Sequence, residues 1–346
     1  MTIVEAAPTV IGGVDTHLDV HVAAALDQIG GLVGVESFPA TPAGYRELYE
    51  WMSGFGPVAR VGVEGTGAYG AGLARFLQRQ GVEVIEVDRP NRQARRQQGK
   101  SDPADAVEAA RAAHNGRARG LAKARNGNVE AIRSLVVAKR SARNVRIKTL
   151  NQIRQLSFTA PDELRERLRG LATVPLTVEA ASLRPRAGGD TVVHATKLAL
   201  QVLGRRVLSL DAEVARLDEA LGELVAATAP DLLELFGVGV DTAAALLAAA
   251  GDNPERLRSE AAWAHLCGVA PIKASSGKVT RYRLDRGGNR QANAALWRIV
   301  MVRMTHHPAT RAYVERRTKE GRSRLEITRV LKRYVAREVY KYLPRP

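Results

Sequence analysis

Residues 9–38 read TVIGGVDTHLDVHVAAALDQIGGLVGVESF, and this stretch decides the N-terminal fold. It contains three short runs rich in β-branched and small apolar residues, separated by the breaks THLD and DQIGG, so it predicts a meander of three strands. Asp19 and Asp27 fall in the breaks and read as turn residues. The following PAGYRELYEWMSGF starts on a helix-compatible proline and sets Tyr45, Leu48, Trp51 and Met52 three or four apart, an amphipathic helix that should cover a sheet. The alternation continues with a strand over Arg60–Glu64, a helix over Ala71–Gln80, a strand over Val82–Val87 and an alanine-rich helix from about Pro103 to Ala113.

Three strands followed by alternating helix and strand is the order of a ribonuclease H-like α/β domain. In such a sheet the first strand lies centrally beside the strand that ends in Glu64, with the Ala-rich helix packed across both. Asp15 closes the first strand and Glu64 ends VGVE before two glycines, where the backbone opens to a ligand. Asp102 and Asp105, three apart in KSDPADA, point from one helix face. Four carboxylates would then converge, an arrangement that calls for cations; hard divalent ions suit oxygen ligands and phosphate chemistry, and magnesium leads. Taken alone, Asp102 beside Pro103 also reads as a helix N-cap.

Beyond this domain the pattern turns helical. Residues 129–157 form a long helix with a strongly basic centre, anchored by Ile132, Leu135, Val136, Leu150, Ile153 and Leu156. In 194–227, Leu200, Leu203, Val207, Leu210, Val214, Leu217, Leu221 and Leu224 alternate three and four apart, a coiled-coil seam. The two stretches suit a helical hairpin, within one chain or between two, with residues 170–193 (Pro175, Pro185, Gly188, Gly189) as turn or linker. From about residue 230, PDLLELFGVGVDTAAALLAAAG has the layout of a helix-hairpin-helix module, whose turn amides can accept a phosphate; Gly237 and Gly239 serve a plain helix–helix turn equally well. The fold class is therefore α/β plus α, divided as 1–125, 126–229 and 230–346.

Charge narrows the function. The 346 residues carry 52 Lys and Arg against 36 Asp and Glu, a net +16. The excess is segregated: residues 1–90 are at −6, 91–170 at +12, 171–267 at −5 and 268–346 at +15. One such block is commonly a solvated helix face, but two favour a polyanion, since each cation on a phosphate releases counterions. With 45% hydrophobic and 25% charged residues, wholesale disorder is excluded. The longest strongly apolar run, Thr242–Gly251, is half of the ~20 residues a membrane span needs, so no membrane partner is expected. MTIVEAAPTV lacks an export signal and Cys267 is the single cysteine, which reads as cytoplasmic.

The segment AHLCGVAPIKASSGKVTRYRLDRGGNRQANAALW places Ser275-Ser276-Gly277 amid Lys273, Lys278, Arg281 and Arg283. Ser-Ser-Gly is ordinarily a turn, yet a hydroxyl ringed by cations can attack phosphorus. No His–Asp pair is evident nearby to act as a base.

In order along the chain, VDTHLD, VEGTGAYG, KSDPADA, FGVGVDTAAALLAAAGD, AAWAHLCGVAPIKASSGK and RGGNRQANAALW resemble the DEDD transposases of bacterial insertion sequences, the 110 family. The resemblance covers nearly the whole chain. It implies a RuvC-like domain holding Mg2+ on Asp15, Glu64, Asp102 and Asp105, a coiled coil that assembles protomers, and a C-terminal transposase domain with a nucleophilic serine. Ser276 matches the nucleophile because the family's serine precedes glycine; the adjacent Ser275 leaves a one-residue ambiguity. Arg281, Arg283 and Arg286 are candidate phosphate contacts. Expected partners are donor and target DNA, a guide (bridge) RNA and further copies of the chain, a dimer assembling to a tetramer. The alternatives are a two-metal endonuclease or junction resolvase that uses water, and a nucleic-acid adaptor with a dead nuclease fold.

Overall fold

The computed structural model of the protein describes residues 9–87, 101–118, 120–186, 190–275, 282–283, 285 and 287–344. The chain divides into two compact units, one built on residues up to Gly127 together with Ala250–Ala262, the other on Asn128–Ala249 with Trp263–Leu343.

The first unit is a six-stranded mixed sheet. The expected meander is present as β1 (Val10–Thr16), β2 (Val20–Leu26) and β3 (Leu32–Pro39), and Asp27 makes its turn by accepting from the Ile29 and Gly31 amides. Strands β4 (Val58–Glu64), β5 (Glu83–Val87) and the two-residue β6 (Gly120–Leu121) complete the order β3-β2-β1-β4-β5-β6. β4 runs parallel to β1 and β5 parallel to β4. Helix α1 (Pro42–Ser53) is capped by Thr41, whose side chain accepts from the Gly44 amide, and buries Leu48 and Met52. With α2 (Ala71–Arg79) it covers one face of the sheet over Val14, Val61 and Val63. Each fully buried Leu or Met here stabilises the layer by about 1.5–3 kcal/mol. The opposite face carries α3 (Asp102–His114), packed on Val22 and Ala24 through Ala106.

The second unit is helical. α4 (Asn128–Phe158) and α7 (Thr191–Thr228) pack along each other within the single chain, so the predicted hairpin is intramolecular. The seam is buried at Leu200, Val207 and Leu221, whereas Leu210, Val214 and Leu217 are half-buried. The stretch expected as turn or linker holds a helix, α6 (Thr173–Ser182), after the short α5 (Asp162–Leu168). Pro175 is tolerated because it lies in the first turn, where amides have no intrahelical acceptor. α6 docks closely on α7 because Gly204 has no side chain: a Cβ there would stand 2.5 Å from the Ala181 nitrogen.

The chain continues through α8 (Pro230–Leu233), α9 (Val240–Ala250), α10 (Glu260–Leu266), the two-stranded ribbon β7 (Ile272–Lys273) and β8 (Tyr282–Arg283), and α11 (Arg290–His306), α12 (Pro308–Lys319) and α13 (Arg324–Tyr340). Between α8 and α9, Gly237 takes φ +80. The Val238 amide bonds to the Leu235 carbonyl and the Gly239 amide to Thr242 Oγ1. These two amides thus have internal partners, as a plain helix–helix turn requires. No helix among the described residues is long and apolar enough to cross a membrane.

Candidate active site

Two glycines position the carboxylates. Side chains alternate along a strand, so Gly13 and Asp15 share one face of β1, and Gly62 and Glu64 share the same face of β4. That face receives α3: a Cβ at Gly13 would stand 2.1 Å from the Ala110 nitrogen, and one at Gly62 would stand 2.4 Å from the Ala109 carbonyl oxygen. Helix backbone therefore rests directly on the sheet, which needs the small residues Ala106, Ala109, Ala110 and Ala113 on the helix side. The next turn toward the helix N-terminus then lies level with the strand ends. The chain leaves β1 for β2 on one side and β4 for β5 on the other, and the carboxyl ends of strands at such a divergence are where open α/β sheets bind ligands.

Asp15 is 7% exposed and Asp105, in the first turn of α3, is 3% exposed. Ser101 caps α3 by accepting from the Ala104 amide, which corrects the N-cap reading of Asp102. Relieved of that duty, Asp102 places Oδ1 3.4 Å from His17 Nε2, and the same imidazole nitrogen donates to Asp15 Oδ2 at 3.1 Å. Asp15, His17 and Asp102 thus offer ligand atoms within 4.8 Å of one another. Burial raises the Asp15 carboxyl above its ordinary range; the His17 ring opposes this, and the charges of Asp105 and Asp102 add to it.

Glu64 stands one residue beyond Val63, the register partner of Val14, so it ends its strand beside Asp15. Its carbonyl accepts from Thr16 Oγ1 at 2.7 Å, and Gly65 then turns the chain with φ +74. The next residue, Thr66, is buried and donates to Glu86 Oε1 at 2.8 Å, while Arg256 holds the other Glu86 oxygen at 3.2 Å. The end of β4 is thereby pinned on both sides.

The serine segment belongs to the other unit. β7 and β8 pair antiparallel, Ile272 with Arg283 and Lys273 with Tyr282. Ser275 is exposed at the end of the first strand. Ser276, Lys278, Arg281 and Arg286 lie outside the described residues. The reading that no His–Asp pair occurs nearby is corrected: His265 Nδ1 lies 3.6 Å from Asp285 Oδ2, brought there because Leu266 O accepts the Asn289 amide and closes the intervening ribbon.

Two family models match this chain in succession. A DEDD transposase model of the IS110 type covers residues 12–157, the carboxylate-bearing unit and the long basic helix. A second, described as Transposase IS116/IS110/IS902 family, covers residues 229–315, the segment with the paired serines. The chain belongs to the IS110 transposase family. It is also 33% identical over 135 residues to an insertion element IS110 uncharacterized 43.6 kDa protein of Streptomyces coelicolor. That similarity covers 39% of this chain and about a third, 32%, of the relative.

Within this IS110-family chain, reading the sequence for acids alone misses His17. The signal was present: in Val-Asp-Thr-His, the histidine follows Asp15 by two residues, the spacing that returns a strand side chain to the same face. The basic centre of α4 has a partly structural explanation. Lys139, 5% exposed, pairs with Asp218 and Asp241, Arg143 with Asp241 and Arg146 with Asp211. Part of the +12 block is thus neutralised inside the helical unit by acids of the following block.

Proposed function

We propose that this protein is a DNA transposase that cuts and rejoins strands through a serine nucleophile assisted by divalent metal on its DEDD carboxylates. Residues 1–125 would be the RuvC-like catalytic domain, 126–229 the coiled coil and 230–346 the transposase domain. The observation that carries the reading is the grouping of Asp15, His17 and Asp102, with the Asp105 charge acting on Asp15 from the first turn of α3 and the strand end bearing Glu64 alongside, in a chain that matches two transposase models. Like charges gathered at the buried Asp15, with no lysine or arginine among the described groups acting on it, suit a hard divalent cation, and the oxygen donors fit magnesium. When bound there, magnesium supplies charge neutralisation at a phosphate oxygen and lowers the cost of forming an alkoxide.

The chain's own residues would do the rest. Ser276 Oγ forms a bond to phosphorus as the bond from phosphorus to the leaving strand's oxygen breaks; the serine loses its proton and the leaving oxygen gains one. The phosphoserine link conserves bond energy, so rejoining needs no ATP, consistent with the lack of a GxxxxGK[ST] sequence. Lys273 and Arg283, on the strands flanking the serine segment, stabilise charge on phosphorus. The basic blocks would hold donor and target DNA and a bridge RNA on an oligomer of the chain.

The test is a protein–DNA adduct assay with guide RNA, DNA and Mg2+. Ser276→Ala and Asp15→Ala should each abolish the adduct, and Ser275→Ala should keep it. An adduct lost only in Ser275→Ala moves the nucleophile one residue upstream. Metal-dependent cleavage with no adduct in any variant leaves a water-using nuclease.

A further inference from the structure

We infer that His17 is a nitrogen ligand in the metal site, making it a mixed imidazole–carboxylate set that favours transition ions over Mg2+. The inference rests on the proposed metal-dependent function and adds a donor outside the four acidic positions.

Three observations support it. First, His17 Nε2 lies 3.1 Å from Asp15 Oδ2 and 3.4 Å from Asp102 Oδ1. An octahedral ion with bonds of about 2.1 Å sets adjacent ligand atoms about 3.0 Å apart, so separations that now serve a hydrogen bond also suit neighbours in one coordination shell. Second, the same nitrogen faces both carboxylates. A histidine serving only to orient Asp15 needs one of these contacts. Third, its setting allows the small approach that ligation requires. His17 follows the last residue of β1, its amide bonds to the Val20 carbonyl, and its side chain is 44% exposed. His21, the other histidine of this meander, is fully buried and stacked on Tyr45, with centroids 5.6 Å apart. It pairs in register with Thr16, so it lies on the sheet face opposite Asp15.

The chemical consequence is selectivity. Carboxylate oxygens alone suit Mg2+, which takes nitrogen reluctantly, whereas an imidazole raises affinity along the series from Mn2+ to Co2+ and Ni2+. The Nε2 proton passes to solvent as the nitrogen takes the ion.

The experiment uses the full chain without nucleic acid. Mn2+ serves as a spin probe for pulsed EPR, and competition between Co2+ and Mg2+ is measured for wild type, His17→Ala and His17→Asn. Expected are an imidazole nitrogen coupling in the wild type that is lost in both variants, and a Co2+ to Mg2+ affinity ratio that falls about tenfold, the lower end of what even an outer-shell partner contributes. The side-chain amide introduced by His17→Asn restores an oxygen donor, so Mg2+ binding should survive in that variant and show an intact site. Mn2+ bound in the wild type without nitrogen coupling, or an unchanged ratio in both variants, overturns the ligand role and leaves the carboxylate reading standing. If folded wild type binds no metal at all, the carboxylate reading fails and the inference with it.

Discussion

Asp15 and Asp241 are the same residue type and burial pushes both carboxyls up, yet their neighbours carry them in opposite directions. Around Asp15 stand a histidine and two further carboxylates, and the carboxyl stays raised. At Asp241, Lys139 and Arg143 outweigh burial and hold the carboxyl below its ordinary range. In the helical unit the protein supplies its own cations. In the sheet unit it gathers negative charge and supplies an imidazole. Carboxylates gathered at a strand-end crevice suit the proposed cation site, whereas carboxylates paired with Lys and Arg serve the architecture of the helical unit.

The strongest way to break this contrast is to remove one acid from each region. Asp15→Ala should lower adduct formation about a thousandfold or more, the scale of losing a preorganised electrostatic group. Asp211→Ala, which removes the Arg146 partner, should leave the rate within a few-fold of wild type when assayed on the same DNA. Equal losses would erase the distinction.

Gly13→Ala attacks the scaffold of the first region. A Cβ pressed against α3 backbone should cost about 3 kcal/mol, the upper end of overpacking, and weaken Mg2+ binding because α3 carries Asp102 and Asp105. Urea unfolding with parallel metal titration checks both; a variant with wild-type midpoint and affinity would show that the close approach is dispensable.

Lys139→Met sharpens the comparison from the other side. Its partners are themselves 40–49% exposed, so the loss should be only about 1–2 kcal/mol. The Asp241 carboxyl is depressed in the folded state, so its contribution is present above the unfolded value of about 3.9 and fades as pH falls through the lower folded value. The stability gap between wild type and variant should therefore be flat near neutrality and shrink below about pH 4. A gap that widens on acidification would reverse the assigned sign.

The smallest effect is the most diagnostic. Asp15 has a raised folded value, so its ionised form opposes folding at neutral pH. In EDTA, Asp15→Asn should melt slightly higher than wild type, by no more than a few degrees, and the gain should vanish as pH falls through the Asp15 value. Added Mg2+ should raise the melting temperature of wild type but not of the variant. A variant that melts lower in EDTA would place Asp15 among the stabilising carboxylates of the second kind.

Much of this was legible in residue order. The β-rich runs of 9–38, the helix after Thr41 and the heptad seam each follow from local periodicity, because side-chain direction repeats every 2 or 3.6 residues whatever the rest of the chain does. The glycines two residues before Asp15 and Glu64 fit the close helix only once its packing is seen. Tertiary structure decided the rest. That Ser101 rather than Asp102 caps α3 depends on the backbone path into the helix. That His17 faces two carboxylates depends on α3 settling on Gly13 and Gly62. That Lys139 and Arg143 are structural depends on Asp218 and Asp241 arriving from 79 and 102 residues away. Local pattern sets which way a side chain points from its own element; the charges it meets are set by packing between distant elements, and no spacing within the sequence encodes that distance.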